Sequence, residues 1–168
     1  MSLRDIARHV GMQAPSIYSY FASKNDIYDA MFADGFREFA EGRAALPLGK
    51  TPLAGLRASA HYFVDFCTAD AVRYQLMFQR TIPGFVPSPE SYAISVGSFQ
   101  MLVDFFTDDD LAVPGAIDMY TAIVTGITDQ QISNDPGGDR WSRLVDDSVD
   151  MLLAWIERQK KPKKGSRP

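Results

Sequence analysis

The chain has 168 residues, 46% hydrophobic and 23% charged, which suits one globular domain or one large domain with a small appendage and excludes collagen, a coiled-coil rod and wholesale disorder. A single cysteine, Cys67, rules out an intrachain disulfide; with no basic-then-apolar leader over Met1 to Val10 and no apolar run near ~20 residues, a reducing cytoplasm without a membrane partner is expected. The net charge of −4 divides into +2 over residues 1–24, −12 over 25–157 and +6 over 158–168, so the acidic body repels polyphosphate and any nucleic-acid contact belongs at the ends.

The segments read as helices throughout, and an all-α fold is expected. Ser2, three residues before Asp5, caps a first short helix that ends at Gly11. A second, Ala14 to Phe21, carries Pro15 near its start, where a missing amide hydrogen costs nothing. Ser23 then caps a longer helix from Lys24 to about Ala45, with Ile27, Met31, Phe32, Phe36 and Phe39 at helical spacing. Thr51-Pro52 starts the next, with Leu53, Leu56, Ala60, Phe63 and Cys67 on its inner face, and Asp70 to Gln79 forms a shorter one. Three prolines and Gly84 make 81–89 a loop. Beyond it, Ser88-Pro89 opens a helix to Phe106 with the stripe Tyr92, Val96, Phe99, Val103 and Phe106. Asp108 to Asp110 break the chain before a helix from Pro114 carrying Ile117, Tyr120, Val124, Ile127 and Gln131. The last helix spans about Arg140 to Gln159, and residues 160–168 form a basic tail expected to be disordered.

Two short helices joined by a glycine turn are the sequence form of a helix-turn-helix, whose second helix enters the DNA major groove. On a wheel centred on Ile17, the residues Ala14, Tyr20 and Phe21 face inward with Ile6, Ala7 and Val10, while Pro15, Ser16, Tyr18 and Ser19 face out. Small outward residues let the backbone approach base edges, and the hydroxyls can donate to phosphate. The alternative is a helical hairpin whose outer face is simply solvated.

The run S-L-R-D-I-A-R-H-V-G-M-Q-A-P-S-I-Y-S-Y-F-A-S-K-N-D-I resembles the DNA-binding motif of the tetracycline-repressor (TetR) family of bacterial transcription regulators. The Ile-Ala pair, the glycine turn, Tyr18, the Tyr20-Phe21 pair and the following Ser-Lys fall at the family's spacing. The resemblance implies that Pro15, Ser16, Tyr18, Ser19 and Tyr20 touch DNA, that Lys24 meets a phosphate, and that Arg4 reaches a base or the backbone. Family members place a further helix before this pair, so an incomplete headpiece is expected over 1–24, followed by a ligand-binding and dimerisation bundle over 25–159. Gln13 stands where Ser or Thr usually caps the recognition helix, a loss of about 1 kcal/mol.

Pieces such as Y-Q-L-M-F, I-P-G-F-V-P-S-P-E-S-Y and D-P-G-G-D-R-W are similar to one regulatory-domain type of actinobacterial members. That similarity implies an effector cavity among the helices starting near Lys24, Pro52, Asp70 and Pro89, and a homodimer through helices 114–133 and 140–159. Twenty aromatic residues and seven methionines are more than the helix contacts of such a bundle require. Tyr62, Phe63, Phe66, Met77, Phe78, Phe85, Tyr92, Phe99 and Tyr120 are candidates to line a cavity for a small apolar effector, with ordinary core as the alternative for each.

Enzymatic chemistry has little to build on, and no catalytic residue, metal site or cofactor is expected. His61 and Cys67 lie six residues apart on one helix, turned roughly 120° from each other. Asp108 to Asp110 lack glycine-spaced partner ligands, and there is no phosphate loop or dinucleotide fingerprint. The expected function is a homodimeric, ligand-responsive repressor on a near-palindromic double-stranded DNA operator. Its alternative is a small-molecule-binding or dimerisation module that has lost DNA binding with the first helix.

Overall fold

A computed structural model describes residues 3–9, 11–108 and 111–160, with the backbone alone at 3, 6 and 14. Among them are eight α-helices, one 3-10 turn and no strand: α1 (Leu3–His9), α2 (Ala14–Tyr18), α3 (Lys24–Ala44), α4 (Pro52–Ala69), α5 (Ala71–Phe78), α6 (Pro89–Asp108), α7 (Ala116–Asn134) and α8 (Val145–Lys160), with the turn at Ser142–Leu144. The Ser2 cap, the inward packing expected of Ile6, Val10 and Ala14, the chain break at Asp109-Asp110 and the basic tail from Lys161 fall outside what is described.

Side-chain caps start most of the long helices. Ser23 accepts the Asp26 amide at 3.2 Å while Asp26 accepts the Ser23 amide at 3.0 Å, a reciprocal box that satisfies two orphan donors at the head of α3. Thr51 caps α4 through the Ala54 amide at 3.2 Å, Asp70 caps α5 through Arg73 at 2.9 Å, and Ser88 accepts the Ser91 amide at 3.1 Å ahead of α6.

The main core joins α4, α6, α7 and α8 through Leu56, Val64, Leu102, Phe106, Tyr120, Val124, Val149 and Leu152, all buried. A second, aromatic cluster gathers Phe32, Phe36 and Phe39 of α3 with Leu76 and Met77 of α5. A third and smallest cluster, Ala7 and Ile17 with Phe21 and Ile27 packed on it, fastens α1 and α2 to the head of α3.

Four expectations change. The second helix stops at Tyr18 instead of reaching Phe21, and the following turn points Tyr20 outward, 76% exposed, where a continued helix would have turned it in. Met31, placed in the α3 stripe, is exposed, while the stripe itself runs on to Arg43. On α6 the buried residues are Ser91, Ser98, Leu102 and Phe106, and Tyr92, Val96 and Phe99 are each about half exposed. The cause is that α6 lies close against α3: Ser98 donates to the Phe36 carbonyl at 3.4 Å and Ser91 to the Asp29 carboxylate at 2.7 Å, contacts that only small hydroxyl residues allow. The last helix begins at Val145, because the Gln131 side chain already holds the Trp141 and Ser142 amides at 2.9 and 3.1 Å.

Candidate functional site

The amino-terminal surface is assembled from short-range constraints. Gly11 takes φ of 71°, the left-handed conformation that a side chain would resist, and the turn closes with Met12 donating to the Ala7 carbonyl at 2.8 Å. Gln13 occupies the N-cap of α2 in an extended conformation without a side-chain cap bond. Ile17 is 5% exposed and faces Ala7, so the opposite side of α2 must face solvent. Pro15, Ser16 and Tyr18 of α2 are exposed, as are Ser19 and Tyr20 in the turn that follows it. Arg4 on α1 and Lys24 at the start of α3 are exposed as well. The Ser19 hydroxyl donates to the Ser16 carbonyl at 2.7 Å, so its remaining capacity is as an acceptor. Arg8 is drawn toward Asp5 at 3.6 Å.

The bundle holds two adjoining cavities. The first, of about 220 Å3, is lined by Phe36, Phe39 and Arg43 of α3, Ser59 and Phe63 of α4, Phe78 of α5, Ser95, Ser98, Phe99 and Leu102 of α6, and Tyr120, Thr121, Val124 and Thr125 of α7. The second, of about 600 Å3, lies toward the 79–89 loop and takes in Phe32, Met77, Phe85, Pro87 and Tyr92. Phe36, Phe78 and Ser95 border both, and the Phe36 and Phe78 rings meet edge to face at 5.2 Å between centroids.

Of the nine aromatic and methionine candidates, Phe63, Phe78, Phe99 and Tyr120 line the first cavity, and Met77, Phe78, Phe85 and Tyr92 the second. Tyr62 and Phe66 line neither. Tyr62 donates its hydroxyl to the Phe39 carbonyl at 2.9 Å and lies across Gly42, and the Phe66 ring carries the Arg73 guanidinium at 4.2 Å.

Apart from Tyr120, the polar groups of the first cavity are not among the residues expected from the sequence. Arg43 is 8% exposed, its guanidinium held below its ordinary pKa by burial and supported by the nearby Tyr120 phenol. Burial pushes the Tyr120 phenol up, against the opposing influence of Arg43. The Ser59 hydroxyl is buried without a hydrogen-bond partner among the described residues, and the buried Tyr120 hydroxyl has none beyond the Arg43 guanidinium. Arg43 was legible in principle, since it stands seven residues after Phe36 and four after Phe39, on the same helical face.

Elsewhere, His61 bonds Asp146 at 2.9 Å and Cys67 is fully buried, with its thiol pushed up to about 12 chiefly by desolvation. Among the described residues no His, Cys, Asp or Glu cluster is arranged to hold a metal, and no helix is long and apolar enough to cross a membrane.

Residues 1–31 match the family profile described as bacterial regulatory proteins, tetR family. The crystal structure of SCO4313, a protein named for a regulatory role, superposes with a TM-score of 0.67 at 21% identity, covering 91% of this chain and 85% of that one. This likeness is one of fold. No curated protein matches the sequence.

Proposed function

We infer that this chain, a tetR-family regulatory protein by the sequence of residues 1–31, is a homodimeric transcriptional repressor released from its operator by a small apolar effector. The observation that carries the reading is the course of α3. Its 21 residues span about 30 Å, from the Ser23 capping box beside the exposed α2 surface to Arg43 in the first cavity. A single rigid element thus touches both the surface that would meet DNA and the space that would hold a ligand.

In this reading residues 1–24 meet DNA through Arg4, Pro15, Ser16, Tyr18, Ser19, Tyr20 and Lys24, and 25–159 form the sensing and dimerising bundle. The dimer would use α7 and α8: Met151 on α8 is 72% exposed, and Leu144 in the turn just before that helix is 37% exposed. Two copies would set two recognition helices one DNA turn, or a multiple of it, apart on a near-palindromic site. An effector that binds the wide-spaced arrangement better lowers DNA affinity by its differential free energy, typically about 1–3 kcal/mol.

The test is a fluorescence titration of the intergenic DNA upstream of the gene, with a scrambled duplex beside it. Saturable binding that discriminates against the scrambled duplex and weakens steeply with salt is the expected result. Equal binding of both duplexes, or of neither, would overturn the repressor reading in favour of a ligand-binding module. Sedimentation at micromolar concentration checks the dimer.

A further inference from the structure

We propose that the first cavity is built for an apolar monocarboxylate, with Arg43 pairing its carboxylate and the Tyr120 and Ser59 hydroxyls completing the acceptor site; the proposal rests on reading that cavity as the effector site. The other partly buried arginines of the bundle have acidic partners. Arg57 holds Asp150 at 2.7 Å, and Arg73 holds Glu38 at 2.6 Å. Among the described residues no carboxylate pairs with Arg43, whose polar neighbour is the neutral Tyr120 phenol and whose guanidinium lies 6.0 Å from the centre of the Phe105 ring.

A buried guanidinium without a counter-ion is expensive to keep, and removal to an apolar side chain of similar size would ordinarily stabilise the fold. Two buried hydroxyls border the same space: Ser59 has no partner among the described residues, and Tyr120 has none beyond the Arg43 guanidinium beside it, so both retain capacity whose neglect costs free energy. One carboxylate answers all three: it takes a bidentate pair from the guanidinium and accepts from both hydroxyls. An amine would be repelled there, and a neutral alcohol would leave the cation unpaired. A dianionic phosphate would bring two charges to one cation.

The rest of the lining sets the body of the ligand. Phe36, Phe39, Phe63, Phe78, Leu102 and Val124 are apolar. A dry cavity of about 150 Å3 accepts a six-carbon ring, so 220 Å3 corresponds to roughly nine or ten non-hydrogen atoms. Octanoate and phenylacetate have this size and charge, one flexible and one rigid.

Calorimetric titration of the full chain with octanoate and phenylacetate, each against its alcohol, octan-1-ol and 2-phenylethanol, tests the proposal. At least one acid should bind about tenfold or more tightly than its alcohol, because a site built around buried polar groups rejects the analogue that leaves them unpaired. In Arg43→Gln that preference should fall to within about twofold while alcohol binding persists. Equal affinity of acid and alcohol for the unmodified chain, or binding of neither acid, overturns the inference. Should Arg43→Gln fail to fold, Tyr120→Phe serves in its place, with the acid weakened several-fold and the alcohol unchanged; a Tyr120→Phe chain that binds the acid as before removes the phenol from the site. Operator release is read separately. An acid that binds at Arg43 and leaves DNA affinity unchanged upholds the carboxylate site and overturns the effector reading, whereas release by the alcohols alone does the reverse.

Discussion

The carboxylate of Asp29 on α3 accepts the Ser88 amide at 2.6 Å and the Ser88 hydroxyl at 2.9 Å, tying the helix that leaves the headpiece to the residue that caps α6. Burial alone would raise the Asp29 pKa, but the Ser88 amide and the Ser91 and Ser88 hydroxyls more than offset it, and the carboxyl sits below its ordinary value of 3.8. A carboxyl depressed in the folded state contributes stability that is present above the unfolded value and is lost as pH falls through the folded one. Asp29→Asn should therefore cost about 1–2 kcal/mol at neutral pH and remove part of the loss of stability below about pH 4. Urea unfolding across pH 2.5–7, taken as a rough working range for carboxyl titration, checks this; acid limbs of the same shape in both proteins would refute it.

On the proposed reading, Tyr18 and Lys24 would make two kinds of DNA contact. Tyr18→Ala should cost roughly 1–3 kcal/mol of operator affinity, whereas Lys24→Ala should weaken all duplexes alike and reduce the slope of log affinity against log salt by about one. Both side chains are exposed and neither carries a core contact, so folding should be unchanged by circular dichroism. An unaltered operator affinity in Tyr18→Ala would remove that residue from the interface.

Gln131 is 3% exposed, yet it is polar because it organises the link between α7 and α8. Its carbonyl oxygen accepts the Trp141 and Ser142 amides, and its amide nitrogen donates to the Asp135 and Gly138 carbonyls. Gln131→Leu keeps the volume and strands those groups, so it should destabilise by about 1–3 kcal/mol, read as a lower urea midpoint at constant slope. A neutral outcome would mean that water replaces the side chain.

Cys67 offers a probe of the core. With no solvent exposure and a thiol pushed up to about 12, it should resist iodoacetamide in the native state at pH 8 and react once urea unfolds the chain. Prompt native labelling would show that α4 opens locally.

Much of the architecture could be read from capping and periodicity, because those signals are local. Ser23, Thr51 and Gly11 mark their boundaries by chemistry that acts within four residues. The inward face of α6 is set by distant partners and not by local pattern. Hydrophobicity favours Tyr92, Val96 and Phe99, but the inward serines are satisfied by Asp29 and by the Phe36 carbonyl, partners about sixty residues away that no window along the chain contains. Tyr20 depended on where a five-residue helix stops, the least determined feature of a short element. In the cavity, aromatic content identified the lining of the walls, while Arg43, Ser59 and Ser98 had no signature of their own beyond helical phase.

The two rings of Phe36 and Phe78 stand as the partition between the cavities, and Phe78 alone reaches it from the short α5. Trimming that one side chain would merge a compartment of about 220 Å3 with one nearly three times as roomy. If the bundle is the ligand site proposed above, the length of molecule it accepts could then change by a single codon, with Arg43 and the exposed α2 surface both left intact.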